Sequence, residues 1–441
     1  MGNSVARPID RNVPVTYNTD GDEDEIDNRL LAAALKPPSD DPKQRLQQLL
    51  RANHVTYAVL YNNHKFHNHV PHHLGSAYFL GANAKQLYEI FENTTSDLER
   101  WKEDNPAEVT INDWRDFYSQ RIYQKGYNDF FSDEVMEANY NWRKIILKYL
   151  LVDDAKLLNG LISGLGHPLI HTAYAFELDS AEVAIEALTL GITNYSSSFG
   201  NLIDEFVANH GQKLSSRHEQ EQVTDPVVLL DQIRLSQVFD KLKPDLANEI
   251  DLTTILNEFP NDVAYYLHKL DISDLDATIK RLFRAASLLL TATHQPGNYQ
   301  FDFVLVHALT VSNAVLNLLS QLPDRKHQVS LAGQLWTFLI LTYLTSQRPV
   351  VSQAKLLEYH DSGHEARLNW QHVTELALSG KWRHDAHYVK AIRALKTLDE
   401  IHNHQDPVYL RQAVFFATEF NGWIFGTSDA DKKKRLDVKI I

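Results

Sequence analysis

From Pro42 almost to the end of the chain, apolar residues recur at helical spacing, and runs that alternate in the manner of a strand are nearly absent. Leu46, Leu49 and Leu50 open the pattern, and a segment started by Pro71 puts Leu74, Ala77, Tyr78 and Gly81 on one stripe. The spacing predicts helices at 84–104, 110–122, 132–151, 153–163, 167–178, 180–192, 197–210, 227–242, 272–293, 300–321, 329–346, 351–359, 364–379, 387–400 and 407–421. Ser132-Asp133-Glu134, Ser180 with Glu182, and Ser273-Asp274 supply cap chemistry at three of the starts. An all-α fold follows: a large multi-helix bundle, one helical domain over residues 41–441 with an inner cavity. The stretches 211–226 and 258–271 read as excursions or a lid, and no fixed-period repeat marks a solenoid.

Residues 1–40 differ in kind. They mix Pro, Asp, Asn and Gly with the acidic run Asp20-Gly21-Asp22-Glu23-Asp24-Glu25 and read as a loosely ordered arm. Over all 441 residues, 57 acidic side chains against 43 basic ones give a net charge of −14, which argues against nucleic acid and against an anionic membrane surface as partners. No stretch reaches the roughly 18 uninterrupted apolar residues of a membrane span, and the start has no secretory signal, so a soluble cytoplasmic protein is expected. Ala6 stands where a myristoylation motif wants Ser or Thr, and the sequons at Asn93 and Asn194 are expected to go unused.

With no cysteine in the chain, a metal could be held only through nitrogen and oxygen, and 21 histidines are available. Four places stand out. Among His64, His67, His69, His72 and His73, the pair His69 and His73 is four apart and can share a face with Ala77 and Gly81; the plainer reading is a solvated polar turn. His167 and His171 are likewise four apart, amid Leu165, Leu169, Ile170, Ala173 and Ala175, so at least one imidazole is expected to be buried and to need partners. His307 stands alone in an apolar helix, where a structural role is the commoner one. Lys390 shares its face with Ala386, His387 and Ala394; turned inward it would be costly as a cation, and the plainer reading is a lysine that snorkels outward. His360 to His364 and His402 to His404 have metal-like spacing in polar surroundings and read as surface features. There is no phosphate-binding loop, dinucleotide fingerprint or nucleophile elbow, so no tightly bound flavin or nicotinamide is expected.

Phe66-His67-Asn68-His69-Val70-Pro71-His72-His73-Leu74 with Leu80-Gly81-Ala82, then Gly166 to His171 and Glu177, then His307, then His387 to Leu395, resemble the questin oxidase-like family of fungal polyketide enzymes. The resemblance covers nearly the whole chain after the arm. It implies an oxygenase that uses O2 to open the central ring of an anthraquinone or anthrahydroquinone by Baeyer–Villiger-type oxidation or an equivalent dioxygenation. One branch of the family holds non-haem iron through four histidines and a carboxylated lysine, and other members work without a cofactor. By position the iron set would be His69 or His73 with His167, His171, His307 and Lys390. A neutral lysine amine that adds CO2 becomes a carbamate, replacing an expensive buried cation with an anionic oxygen ligand. The cofactor-free route would use His73 or His307 as general base on a phenol, within a catalytic set of His73, His167, His171 and His307. His69, Tyr78, Tyr174 and Trp336 would contact the flat substrate. A separate NADPH-dependent reductase would supply the hydroquinone. Two other classes stay open: a non-catalytic helical binding protein, which would consume no O2, and a histidine/carboxylate metal hydrolase, which would turn over without it.

Overall fold

Seventeen α-helices form among the residues that the computed structural model describes, namely 40–102, 105–211, 222–242, 252–294, 299–354, 356, 368–404 and 407–425. They are α1 (Pro42–Thr56), α2 (Val70–Phe79), α3 (Ala84–Thr95), α4 (Gln124–Glu137), α5 (Trp142–Asn159), α6 (His167–Leu178), α7 (Ala181–Thr193), α8 (Ser197–Gly211) and α9 (Pro226–Leu235), then α10 (Leu252–Glu258), α11 (Pro260–Lys269), α12 (Leu275–Thr291), α13 (Phe303–Leu319), α14 (Arg325–Thr345), α15 (Trp370–Ser379), α16 (Ala386–Ile401) and α17 (Val408–Glu419). Sheet structure among the described residues is confined to two pairs of two-residue strands, Leu60–Tyr61 against Phe66–His67 and Phe301–Asp302 beside Trp423–Ile424. The architecture is all-α, as the periodicity predicts. No described helix is long and apolar enough to cross a membrane.

Boundaries follow local chemistry. Asp41 accepts from Gln44 N at 2.8 Å and Pro42 fills the first turn, while Asn83 and Gln86 close a reciprocal capping box at α3. The expected helix at 110–122 is instead a run of turns ending in a short 3₁₀ segment, Arg121–Tyr123. There Asp113 takes both Thr110 N, at 2.7 Å, and Thr110 Oγ1, offering the backbone an alternative to helical bonds. The expected helix 132–151 is divided, since Asn139 and Tyr140 adopt positive φ between α4 and α5. The expected break near residue 152 is present as a left-handed run at Asp153, Asp154 and Ala155 within α5. Residues 258–271 hold α11 and pair with Val223 through Leu270, so this stretch is packed helix and bridge. The N-terminal arm, residues 212–221 and the His360 to His364 run lie outside the described residues.

The site is made by a closed ring of four helices: α2 packs on α6, α6 on α13, α13 on α16, and α16 back on α2. One contiguous apolar core runs from Leu46 in α1 to Trp423 beyond α17 and surrounds this ring. Helix α6 carries almost no exposed face, and it enters the ring through Gly166, whose φ of +76° is left-handed. A Cβ on Gly166 would sit 2.4 Å from Val311 Cγ2 of α13, so glycine alone permits both the turn and the close approach of α6 to α13. Gly166→Ala is therefore expected to lower the free energy of unfolding by about 2–4 kcal/mol, combining left-handed strain with overpacking. Urea denaturation monitored by circular dichroism measures this, and an unchanged midpoint would contradict the close-approach argument.

Candidate active site

The loop leading into α2 is held by its own amides. Asn68 Oδ1 accepts from Val70 N at 2.9 Å and Asn68 Nδ2 donates to Asn53 Oδ1 at 2.8 Å, so His69, between them, begins α2 in a fixed orientation. His69 Nδ1 then donates to the His67 carbonyl at 2.7 Å. At the start of α6, His167 Nδ1 donates to the Gly164 carbonyl at 2.8 Å. A carbonyl oxygen can only accept, so in both rings the hydrogen is on Nδ1 and, in the neutral imidazole, Nε2 is a bare lone pair. These two Nε2 atoms face each other at 3.0 Å.

Two lone pairs that face each other repel unless a cation stands between them. A shared proton is opposed by burial: burial first, and then Lys390 beside His69 and His67 beside His167, push both imidazoles well below the ordinary histidine value. A metal ion would satisfy both lone pairs, and a third nitrogen is at hand. Ligand atoms of His69, His167 and His387 all lie within 4.8 Å of one another. His307 brings a fourth imidazole, with Nδ1 tied to the Phe303 carbonyl at 2.8 Å and its ring 5.1 Å from His167 and 4.9 Å from His387. His307 Nε2, His387 Nε2 and Lys390 Nζ are buried and take no hydrogen bond from the described residues. Burial pulls the Lys390 amine down to about 7, with Asp385 opposing the shift. Metal-binding imidazoles are commonly oriented by a bond from the other ring nitrogen, and three of the four have one, each to a backbone carbonyl. The residues fit a metal with nitrogen-rich ligation and one lysine-derived arm.

The expected residues divide. His69, His167, His307 and Lys390 converge here. His73 does not join them: its Nδ1 bonds Thr94 Oγ1 at 3.1 Å and its Nε2 bonds the Arg383 carbonyl at 3.0 Å, which leaves it neither a ligand nor a base. His171, one turn beyond His167, bonds His72 Nε2 through Nδ1 at 3.0 Å and Glu186 Oε2 through Nε2 at 2.9 Å. Position i+4 shares a helix face with i, but His167 sits at the first turn of α6, where its ring reaches the end of the helix and His171 reaches the adjacent layer. Of the expected stacking surfaces, Tyr174 lies on His72 with centroids 5.2 Å apart and bonds Ser76 through its hydroxyl. Trp336 is wholly buried with its Nε1 on the Tyr266 carbonyl, a core role, and Tyr78 packs against Phe79.

Three contributions were missed. His387 was visible as a neighbour of Lys390, but three residues' spacing does not say which way an imidazole turns. His67 stacks on His167 at 4.1 Å and is held by Asn194. An aromatic wall of Phe303, Trp423 and Phe425 stands beside His387 and His307, with the Phe303 ring 4.6 Å from His387. Only the pairing of Phe301–Asp302 with Trp423–Ile424 brings that wall together, and nothing in the local pattern announces it.

Beside Lys390 lies a small cavity of about 10 Å³, room for about one water molecule, lined by Ile170, Ala173, Tyr174, Thr310, Asn313 and Lys390 and far below the roughly 300–1,000 Å³ of a usual ligand pocket. Glu177, partly buried, closes it and pairs with the buried Arg393, whose charge depends on this partner. Glu177→Ala is expected to cost about 3–5 kcal/mol in unfolding free energy by stranding the guanidinium, and the double variant Glu177→Leu/Arg393→Met to recover most of that. Denaturant titration of both variants checks this, and a mild single-variant loss would show that Arg393 finds other partners.

The chain matches the model of a family described as questin oxidase-like over residues 66–395, a span that contains every ligand candidate. It is 23% identical over 431 residues to the Baeyer-Villiger monooxygenase AacuH of Aspergillus aculeatus, covering 89% of this chain and 86% of that one. It is 23% identical over 377 residues to the oxidoreductase AflY of Aspergillus parasiticus, covering 81% and 73%. It is 22% identical over 384 residues to the Baeyer-Villiger oxidase mdpL of Emericella nidulans, covering 82% and 83%. With every histidine of the site, Lys390 and Phe303 inside the matched span, the chain belongs to the questin oxidase-like family.

Proposed function

We propose that this protein is an O2-dependent oxygenase that opens the ring of an anthraquinone-type polyketide or its hydroquinone by Baeyer–Villiger-type oxidation, at an iron held by His69, His167, His307, His387 and Lys390. The observation that carries the metal is the 3.0 Å approach of two Nε2 atoms whose hydrogens are held on the opposite nitrogens. The family and the reaction named for AacuH and mdpL support the oxygenase. When bound, ferrous iron supplies a redox-active Lewis acid that lets O2 react with an electron-rich ring.

The protein's own groups do the rest. Lys390, buried and lowered to about 7, is neutral in a large share of molecules near neutrality, the form that adds CO2. Its carbamate releases one proton and leaves an anionic oxygen among four neutral nitrogens. Phe303 and Trp423 offer aromatic surfaces at the edge of His387 for a flat substrate. Burial of all four imidazoles excludes water from the reacting ring and strengthens every charge interaction there. His307 Nε2 can alternatively accept a phenolic proton, the role a cofactor-free reaction needs, whereas His73 is committed to Thr94 and Arg383. No nucleotide-binding motif is present in the sequence, so a separate NADPH-dependent reductase in the same cytoplasmic compartment supplies the hydroquinone.

Protein purified without chelator is expected to carry about one iron per chain, and His387→Ala to weaken binding by more than about 100-fold, since even outer partners of ligands are worth 10- to 100-fold. Elemental analysis decides this; full turnover by iron-free protein would retire the metal in favour of His307 as base. Oxygen-electrode traces with an anthrahydroquinone should show O2 uptake that bicarbonate depletion or Lys390→Ala suppresses. A flat trace with fully iron-loaded protein would leave a helical binding protein.

A further inference from the structure

Behind the histidine centre, and outside the sequence stretches that carry its ligands, stands a single carboxylate. Glu186 of α7 is 1% exposed and meets three donors. Oε2 takes His171 Nε2 at 2.9 Å, and Oε1 takes Asn53 Nδ2 at 3.2 Å and His54 Nδ1 at 3.2 Å. Burial pushes this carboxyl up, but the bonds from His171 and His54 outweigh it and hold it below the ordinary value, so it is an anion that only accepts.

Two arms leave Glu186; one ends on the backbone that flanks His69 and the other on a ring packed beside His69 and His167. The first runs through Asn53, whose Oδ1 accepts from Asn68 Nδ2, to the Val70 amide that Asn68 Oδ1 caps; His69 is the residue between. The second runs through His171 to His72, whose ring lies edge-on to His69 at 5.4 Å and near-parallel to His167 at 6.2 Å. Helix α2 and its entry loop are thus pinned from behind at two points, one on each side of His69. The groups concerned are almost fully buried: Asn53, His72 and His171 at 0%, Asn68 and Glu186 at 1%. Removing one partner from a buried network of this kind leaves the others short of a bond, which costs more than the bond itself.

We infer that Glu186 is the positioning residue of the metal centre: without touching a ligand, it sets where His69 stands relative to His167. The inference rests on the metal reading above, and it assigns a role to a residue that no spacing argument singled out. Its loss leaves the ligand atoms in place chemically but frees the loop and α2 to shift, which changes the strength and the geometry of binding together.

The test uses the full chain and Co(II) alone as probe, because cobalt reports ligand geometry in its visible absorption and its affinity is read by equilibrium dialysis. Glu186→Gln keeps the volume but brings an amide NH2 against donors; it should weaken Co(II) binding by roughly 10- to 100-fold and shift the visible bands. Glu186→Asp, which restores the charge, should recover part of both. If Glu186→Gln does not fold by circular dichroism, Asn53→Ala, which cuts one arm only, should still give a smaller loss in the same direction and a band shift. Wild-type affinity and spectrum in every folded variant would overturn the inference while leaving the metal site standing. A wild-type chain that binds no Co(II) would bring down the metal reading and the positioning role together.

Discussion

Two imidazole nitrogens, each stripped of its hydrogen by a carbonyl bond on the far side of its ring, meet at 3.0 Å in the middle of this bundle. Everything nearby is consistent with keeping that encounter and keeping it dry. Four helices close around it, a glycine lets two of them touch, and a further imidazole, His67, stacks on one partner. A bundle interior of leucine and valine stabilises itself without such groups; placing five nitrogen donors there is unfavourable unless something binds them. The unpartnered atoms of His307, His387 and Lys390 are the same cost seen from the other side.

The secondary structure was legible because helices in a buried bundle write their period into the sequence, and α6, α13, α14, α16 and α17 lie close to the expected spans. The failures have local causes. At 110–122, apolar spacing resembled a helix while Asp113 diverted the backbone into turns. Within the site, spacing gave the neighbourhood but not the direction of a side chain. His167 and His171 look equivalent in sequence, yet one reaches His69 and the other reaches Glu186. His69 and His73 look equivalent too, and only the loop bond to His67 and the distant Arg383 carbonyl separate them. The aromatic wall depends on a two-residue strand pairing across more than a hundred residues, a contact with no local signature.

Family membership and site geometry bear on different questions. The matched span and the relatives fix the kind of protein, at identities of 22–23% that leave individual side chains free to differ. The hydrogen-bond polarity around His69 and His167 fixes which nitrogens are available, a matter on which overall similarity is silent. Where the two meet, at His387 and Lys390 one turn of α16 apart, they reinforce each other.

The four imidazoles come from four separate parts of the chain, His69 near its beginning and His387 and Lys390 near its end. A chain still being synthesised holds His69, His167 and His307 long before α16 exists, so it has nitrogen donors but not the full set and not the lysine. Closing a loop from the first donor to the last carries an entropic cost that only the assembled bundle offsets. The full set of donors therefore exists only once the C-terminal helices have joined the bundle, so assembly of the site and completion of the fold are one event.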